Sequence, residues 1–536
     1  MFRFPRTILT ILPVILLSLT SVAQSQVLLS PEVDKILQKP LYKNATWGIL
    51  VIDLQTGDTV FSKNADRQML IGSIRKMFSV GLALDQLGED YRFVTPIYRQ
   101  GEVKDGVLNG DLVVVASGDL SMGGRERADG TIAYTKFDHN EANSLGNAIL
   151  TKTDPLAGYR NLAQQIAAAG IKRVDGDVII DDRLFQTFNF RHEFDLRPIF
   201  INDDVVDMML QPGATAGTPA DVAWRPHSAA LTLAPQLKTT GPGSELELDY
   251  DDLPNCIGKA GCQVPLTGHL PIDLKPVLTG EWPLVRNVRI TQPQNYARTV
   301  LIEELAKAGV AVAANKTAPN DAAKLPAVGS YQADHQVAKL TSAKYAQFAQ
   351  WILKVSYNIG ADTSLMLYGV QNGVDTLEKS LAAEAKALKS RFDVSPSEFH
   401  FVDGSGGGDT AATSQAIAKM LTARTKLDNF ATFKQALPIL GVNGSLATVT
   451  RFEENDALQG AKANVYAKTG TYITGDEQGR MIVRAQGTAG YIDAASGRKY
   501  AFVLVVNNIG VISGIDDVIQ VMQDEGEIAA WWWRQN

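Results

Sequence analysis

Near the start of the chain, apolar and polar positions first alternate as in strands and then follow a helical period. Residues 47–53 and 59–61 are strand-like and are separated by turn residues. From Ser73 onward the apolar positions recur every three or four residues, at Met77, Val80, Leu84 and Leu87. Gly88 is placed to end this helix. The pattern predicts a strand pair and then a helix with Ser73 in its first turn and Lys76 one turn further on.

The middle of the chain, from about residue 98 to residue 335, has a different pattern. Its short strand-like segments are broken by Gly, Pro and Asp, and the clearest are 110–115, 176–181, 231–233 and 288–291. One helix is predicted there, from Ala297 to Ala308, and Gly309 ends it. We therefore expect a β-rich middle region.

Helical periodicity returns after His335. Helices are predicted at 345–355, from about Thr363, and at 376–390. The glycine-rich segment 403–409 is expected to form a tight loop. Three later segments alternate like antiparallel strands, and a helix with three tryptophans ends the chain; these elements are 463–468, 484–492, 500–507 and the helix around 531–533. The pattern as a whole predicts a multi-domain α/β protein.

The first residues have the build of a secretory signal peptide. Arg3 and Arg6 precede an apolar run at 7–19, and Ser21-Val22-Ala23 is a small-residue cleavage site. The apolar run is short for a bilayer span, and no later run approaches the ~18 apolar residues that a span needs. We therefore predict that residues 1–23 are removed and that the protein is exported, with at most peripheral membrane contact. An uncleaved anchor is the alternative.

Composition narrows the class of protein. The 45% share of hydrophobic residues suffices for a core, and 536 residues suffice for two or three domains. A net charge of -7 argues against a nucleic-acid partner, which needs a basic face. The chain has two cysteines, Cys256 and Cys262. A zinc site would need two more ligands nearby, so we expect a local disulfide and no metal.

Three short motifs stand in a fixed order along the chain. They are Ser73-Ile74-Arg75-Lys76, Ser356-Tyr357-Asn358 and Lys468-Thr469-Gly470. A serine three residues before a lysine, then Ser-x-Asn, then Lys-Thr-Gly is the signature set of penicillin-recognising acyl-serine enzymes. The first two patterns also occur at 496–499 and 62–64, but there the order is wrong. The ordered trio in an exported chain therefore carries the functional prediction.

The first two motifs provide a nucleophile and its base. A serine hydroxyl attacks a carbonyl only when a base removes its proton, and the three-residue spacing places Lys76 beside Ser73. Lys76 is a base only when neutral, which burial and a second cation favour, and Lys468 is the candidate for that cation. Ser356 is expected to relay protons to the leaving group. Asn358 is expected to hold a substrate amide or to orient Lys76.

The third motif is expected to bind substrate. Thr469 would hold a substrate carboxylate beside Lys468, and Gly470 and Thr471 continue the same strand. The backbone N–H groups of Ser73 and Thr471 would form an oxyanion hole, worth roughly 3 kcal/mol per donor. For each residue taken alone a structural role is the alternative, such as helix capping by Ser73.

The chain resembles the low-molecular-mass class C penicillin-binding proteins, the D-alanyl-D-alanine carboxypeptidase/endopeptidase family. Besides the trio, the resemblance rests on segments spread over nearly all of the mature chain, namely 108–112, 117–121, 170–171, 174–178, 403–406, 437–439 and 441–446. The chain departs from the family at Ile71-Gly72, where Pro-Ala is usual, and at Tyr357, where Asp is usual. Residues 473–483 also lengthen the connection after Lys-Thr-Gly, at the mouth of the predicted cleft.

The resemblance implies a fold that also explains the spacing of the motifs. Ser73 and Ser356 can share a site only if the whole middle region loops out between them. We expect a transpeptidase-like penicillin-binding domain of antiparallel sheet flanked by helices, with nested β-rich inserted domains. The predicted ranges are the signal peptide at 1–23, the catalytic domain at 24–97 and 336–536, domain II at 98–182 and 286–335, and domain III at 183–285.

The function that the resemblance implies is an exported serine-type D-alanyl-D-alanine carboxypeptidase or endopeptidase. Ser73 would attack peptidoglycan peptides that end in D-Ala-D-Ala or carry D-amino-acid cross-links, and β-lactams would acylate the same serine. No cofactor is implied, and the expected location is the periplasm. One alternative is a serine β-lactamase, which the long middle region disfavours. The other is a non-catalytic peptidoglycan-binding protein, which the intact trio disfavours.

Overall fold

The two ends of the described chain build one five-stranded antiparallel sheet. The computed structural model describes residues 30–535, so the predicted signal peptide lies outside the described residues. In spatial order the strands are Thr59–Lys63, Thr46–Asp53, Lys499–Val511, Met481–Asp493 and Val465–Gly475. The strand that carries Lys-Thr-Gly therefore lies at one edge of this sheet.

The two faces of the sheet are buried in two different cores, because successive residues of a strand point to opposite faces. Ile49 faces the terminal helices Pro31–Leu37 and Ile515–Gln535, whereas Leu50 faces the other helices of this half of the molecule. Those helices are Lys76–Leu87, Tyr345–Val355, Asn358–Gln371, Leu377–Phe392, Ser414–Arg424 and Phe430–Ala436. None of the helices within residues 30–535 has both the length and the apolarity that a membrane crossing requires.

The chain between Leu87 and Tyr345 forms further sheets around a separate core. The largest contains, in order, Ala311–Val312, Arg173–Val174, Val107–Val115, Arg92–Lys104 and Gln336–Lys344, with Val178–Asp181 also paired to Val107–Val115. Two three-stranded sheets have the orders Asp221–Arg225, Val205–Gln211, Leu284–Arg289 and Thr232–Thr240, Gln263–Pro271, Glu247–Asp249. Helices Ala142–Leu145, Ala157–Ala168 and Pro293–Lys307 cover them. The multi-domain α/β fold and its β-rich middle region are thus confirmed.

Two small strand groups complete the fold. Strands Phe188–Phe190 and Phe194–Leu196 form a hairpin, and Phe399–His400, Ala411–Thr413 and Gln68–Leu70 form a short sheet. The hairpin packs into the helical core through Phe190, Phe194 and Leu196, although it belongs to the middle region by sequence. It therefore brings part of the middle region to the helices that carry the first two motifs.

Several elements differ from their predicted bounds, both near the motifs and in the middle region, where the helix predicted from Ala297 to Ala308 spans Pro293–Lys307. Ser73 lies in a 3₁₀ turn, Gly72–Arg75, which precedes the helix Lys76–Leu87 instead of forming its first turn. This turn is tight because Gly72 has a φ of 47° and lies against the backbone of Thr471. Gly88 ends the helix with a φ of 88°, as predicted.

Among the other helices, one also begins earlier than predicted. The predicted helix Tyr345–Val355 is confirmed, but the next one begins at Asn358 and not near Thr363. Ser356 has a left-handed backbone conformation that turns the chain, so a new helix can start within two residues. The helix Ala157–Ala168 was not predicted, although Tyr159, Leu162 and Ile166 on its buried face recur at helical spacing.

The predicted domain ranges stay a prediction. Strand Arg92–Lys104 runs across the boundary expected at residue 97, and it pairs with Gln336–Lys344, which begins at the boundary expected at residue 336. Both strands thus join the catalytic half to the largest sheet of the middle region. Within that region Cys256 and Cys262 form a disulfide, with Cα atoms 5.2 Å apart.

Candidate active site

Ser73 and Lys76 meet at the start of the helix Lys76–Leu87. The Nζ atom of Lys76 lies 2.6 Å from the Oγ atom of Ser73. Lys76 is fully buried, whereas Ser73 is only partly buried and can be reached from solvent. The pair therefore has the geometry of a nucleophile with its general base.

Two other acceptors complete the surroundings of the Lys76 amine. Nζ lies 2.6 Å from the Oδ1 atom of Asn358 and 2.9 Å from the backbone oxygen of Ser405. A neutral amine has two hydrogens and one lone pair. If the two carbonyl-type oxygens take the hydrogens, the lone pair remains for the hydroxyl proton of Ser73.

The environment of Lys76 favours its neutral form. Burial is the main cause and the nearby guanidinium of Arg191 the second, and together they lower the pKa of Lys76 to about 7. The carboxylates of Asp403, Asp362 and Glu141 act in the opposite direction. The sequence predicted Lys468 as the second cation beside Lys76, and the charges of the two lysines oppose each other. Arg191 is an additional cation that the sequence did not reveal. A base with a pKa near 7 is half neutral at neutral pH.

The Ser-x-Asn motif occupies the joint between two helices. Ser356 ends the first helix with a φ of 63°, and Asn358 begins the second. Tyr357, the residue between them, is buried and stacks on Trp351 with ring centroids 4.8 Å apart. The aromatic side chain therefore belongs to the core, while Ser356 and Asn358 face the site.

The Lys-Thr-Gly strand runs past the 3₁₀ turn that carries Ser73. The Nζ atom of Lys468 lies 2.9 Å from the Oγ atom of Ser356. Burial, and then the charge of Lys76, hold the pKa of Lys468 well below its ordinary value. Gly470 allows the close approach, because a Cβ atom there would lie 2.1 Å from the backbone oxygen of Ile71. The third motif thus joins the first two around one point.

The substrate-binding residues predicted on this strand have different surroundings. Thr469 is buried and its Oγ1 lies 2.7 Å from the Oγ atom of Ser445. Thr471 is exposed, and its Oγ1 donates to Gln486 at 2.8 Å. The backbone of Thr471 lies against Gly72, the neighbour of Ser73. The two N–H groups predicted for an oxyanion hole therefore belong to segments in direct contact.

Three residues that the motifs did not reveal also reach the site. Arg191, at the tip of the hairpin Phe188–Phe190 and Phe194–Leu196, donates to the Oγ atom of Ser405 at 2.7 Å. Glu141 accepts from the Nδ2 atom of Asn358 at 2.6 Å. Ser405 lies in the glycine-rich loop that the sequence singled out, but Arg191 and Glu141 come from the middle region and have no sequence signal.

A cavity of about 370 Å³ opens beside Asn358. Its walls come from both halves of the molecule, with Tyr357 and Asn358 on one side and Glu141, Phe190, Arg191 and Glu193 on the other. The cavity therefore lies where the middle region meets the motif residues.

Within residues 30–535, one group of side chains brings its ligand atoms close enough for a metal ion, namely Asp138, His139 and Asp203. Arg125 already pairs with both carboxylates, at 2.6 Å from Asp138 and 2.5 Å from Asp203. Burial opposes a charge on His139, but Asp207 and Asp203 outweigh it and raise its pKa to about 9. Both ring nitrogens of His139 and the guanidinium of Arg125 thus contact carboxylates, which makes the group a buried ion-pair cluster.

A family model and a curated relative both relate this sequence to D-Ala-D-Ala carboxypeptidases. The family model described as D-Ala-D-Ala carboxypeptidase 3 (S13) matches residues 29–524. A D-alanyl-D-alanine carboxypeptidase from Actinomadura sp. is 25% identical over 477 residues, which cover 83% of this chain and 76% of the relative.

Two crystal structures of penicillin binding protein 4 from Haemophilus influenzae share the fold. The first has a TM-score of 0.68 at 17% identity. The second, a complex with a β-lactam, has a TM-score of 0.65 at 18% identity. Each comparison covers 94% of this chain and 99% of the other.

Proposed function

The chain belongs to the D-Ala-D-Ala carboxypeptidase 3 (S13) family and is a D-Ala-D-Ala carboxypeptidase; we propose that it works as an exported serine peptidase with Ser73 as nucleophile. The observation that carries this proposal is the Lys76 amine, which lies 2.6 Å from Ser73 and has a pKa of about 7. We place the enzyme in the periplasm on the signal-peptide pattern of residues 1–23, and we keep the three-domain division predicted from the sequence.

The acylation step follows from the neutral amine of Lys76. The amine takes the hydroxyl proton of Ser73 as Oγ forms a bond to the carbonyl carbon of the terminal D-Ala-D-Ala peptide. The backbone N–H groups of Ser73 and Thr471 stabilise the negative charge on the carbonyl oxygen. The tetrahedral intermediate then collapses, the C–N bond breaks, and Lys76 returns its proton through Ser356 to the leaving amine, which leaves Lys76 neutral again. Terminal D-alanine departs and an ester on Ser73 remains.

Hydrolysis of the ester completes the reaction. A water molecule gives a proton to Lys76 and attacks the ester carbonyl, and the Ser73 oxygen recovers a proton as it leaves. D,D-endopeptidase activity would follow the same steps with a cross-link in place of the terminal bond. β-Lactams would acylate the same oxygen of Ser73: the C–N bond of their strained ring breaks, and the ring-opened acyl group remains as an ester on the serine.

The third motif would hold the terminal carboxylate of the substrate. Lys468 and the hydroxyl of Thr469 lie in the buried half of the edge strand Val465–Gly475, and Thr471 is its first exposed position. Gly470 keeps the strand close to Ser73. A carboxylate placed there would pair with a cation and a hydroxyl, which suits the C-terminus of a peptide.

Labelling with a fluorescent penicillin tests the proposal. The wild-type protein should acquire a stable covalent label and Ser73→Ala none. Ser496→Ala is the matched control, because Ser496 begins the other Ser-x-x-Lys sequence and lies exposed in a turn. It should label like the wild type and release D-alanine normally. A label on Ser73→Ala would refute the assignment of the nucleophile, rapid turnover of penicillin would support a β-lactamase, and an unlabelled wild type would support a binding protein.

A further inference from the structure

The carboxylate of Glu141 makes a contact that links the middle region to the Ser-x-Asn motif. Its Oε1 atom accepts a hydrogen bond of 2.6 Å from the Nδ2 atom of Asn358. The Oδ1 atom of the same amide faces Lys76 at 2.6 Å. Asn358 thus lies between a carboxylate and the amine of the general base.

The contact determines which end of the Asn358 amide faces Lys76. An ionised carboxylate only accepts hydrogen bonds, so the NH₂ end of the amide must face Glu141. The oxygen end is then directed at Lys76. In the opposite orientation two oxygen atoms would face each other, and the NH₂ group would compete with Ser73 for the lone pair of Lys76.

The orientation of the amide decides what Lys76 can do. With Oδ1 of Asn358 and the backbone oxygen of Ser405 as acceptors, both hydrogens of the neutral amine are engaged. The lone pair is then left for the hydroxyl of Ser73, 2.6 Å away. The position of Glu141 therefore acts on the nucleophile through two intervening side chains.

The backbone that carries Glu141 is anchored by the buried ion-pair cluster. His139, two residues before Glu141 in the same 3₁₀ turn, holds Asp207 at 2.6 Å and Asp203 at 2.9 Å through its two ring nitrogens. Asn287 donates to the backbone oxygen of His139. Arg125 packs over the ring of Trp351, on which Tyr357 stacks. The cluster and the Ser-x-Asn motif therefore share one rigid support.

We propose that Glu141 is a positioning residue of this enzyme: it locks the amide of Asn358 so that the lone pair of Lys76 points at Ser73. The proposal rests on the proposed role of Ser73 and deepens it. It gives the middle region a part in the reaction, because Glu141, which holds the amide of Asn358, belongs to a segment outside the three motifs.

The first test measures the acylation rate constant of the full-length mature protein with penicillin against pH. Glu141→Gln replaces the carboxylate by an amide that can pair with either end of Asn358, so the lock is lost. Acylation should slow by roughly 10- to 100-fold on the alkaline plateau. The acid limb should also move to lower pH, because Glu141 is one of the anions that raise the pKa of Lys76. The other charged groups that face Lys76 are unchanged in the variant; they are Arg191, Asp403, Asp362 and Lys468.

The midpoint of the acid limb of the pH profile distinguishes a local effect of Glu141 on the site from a loss of folded protein. A smaller folded fraction lowers the rate at every pH equally and leaves the midpoint where it was. Glu193→Gln is the matched control, because Glu193 lines the same cavity and makes no hydrogen bond to Asn358 within the described residues. It should keep the wild-type plateau and midpoint.

The outcomes distinguish this proposal from the one on which it rests. If the wild type labels on Ser73 and Glu141→Gln keeps the wild-type plateau, whether or not its midpoint moves, the positioning role of Glu141 is refuted and the nucleophile stands. A slower Glu141→Gln variant with an unmoved midpoint makes Glu141 a structural residue only, which also overturns the proposal. A wild type that does not label at all refutes the proposed function itself.

Discussion

The pH dependence of acylation tests the proposed base most directly. A pKa of about 7 makes half of the Lys76 amines neutral at pH 7. An ordinary lysine would be neutral in roughly one molecule in three thousand at that pH. The buried site therefore raises the share of active base about a thousandfold, and it does so by disfavouring the ammonium form through desolvation and the charge of Arg191.

The expected profile follows from this titration. The rate constant of acylation by penicillin should be flat above about pH 8, be half-maximal near pH 7, and fall about tenfold per unit below pH 6. Single-turnover labelling is the suitable assay, because it records acylation without the hydrolysis step. Arg191→Gln removes the cation that lowers the pKa of Lys76, so its midpoint should move to higher pH, the direction opposite to Glu141→Gln.

Lys76→Arg provides the control. It keeps a cation of similar length, but an arginine does not lose its proton in a protein. No acylation is expected at any pH. A wild-type rate that stays constant from pH 5 to pH 9, or a Lys76→Arg variant that acylates like the wild type, would show that Lys76 is not the base.

Two further predictions concern the packing around the site. Gly470→Ala should slow acylation by about 100-fold, because its Cβ would lie 2.1 Å from the backbone oxygen of Ile71. Gly475→Ala, in open space on the same strand, should leave the acylation rate unchanged. Equal acylation rates for the two variants would contradict the close approach of the strand to Ile71. His139 has a pKa raised to about 9, so its stabilising charge is fully present below about pH 6.5 and lost as pH rises through 9. Urea unfolding should show that the difference in free energy of unfolding between wild type and His139→Gln shrinks by about 3 kcal/mol between about pH 6.5 and pH 9. A difference that stays constant over this range would refute the charged state of His139.

The motif residues could be predicted because local spacing determines much of their geometry. Ser73 and Lys76 are three residues apart, so they meet whether the turn is 3₁₀ or α-helical. The element ends were harder to predict. Ser356 has a left-handed backbone that nothing in its residue type demands, and this turn lets the next helix begin at Asn358.

The surroundings of the motifs could not be predicted in the same way. Arg191 and Glu141 are ordinary charged residues in the middle of the chain, and the sequence pattern around them marks no chemistry. They reach the site because the hairpin beside Arg191 packs into the helical core and because the turn with Glu141 is fixed by buried ion pairs. Arg191 therefore adds to the repulsion between Lys76 and Lys468 that the sequence predicted, and only the fold brings it near Lys76.

From the sequence alone one could predict the order of the motifs, the antiparallel strands and helices that carry them, and the need for the middle region to loop out. These features depend on periodicity and spacing between neighbours in the chain. The burial of Lys76, the approach of Arg191 to it and the contact of Glu141 with Asn358 all depended on the tertiary structure. Desolvation and Coulomb interaction act through space, so they depend on residues hundreds of positions apart that meet only when the chain has folded.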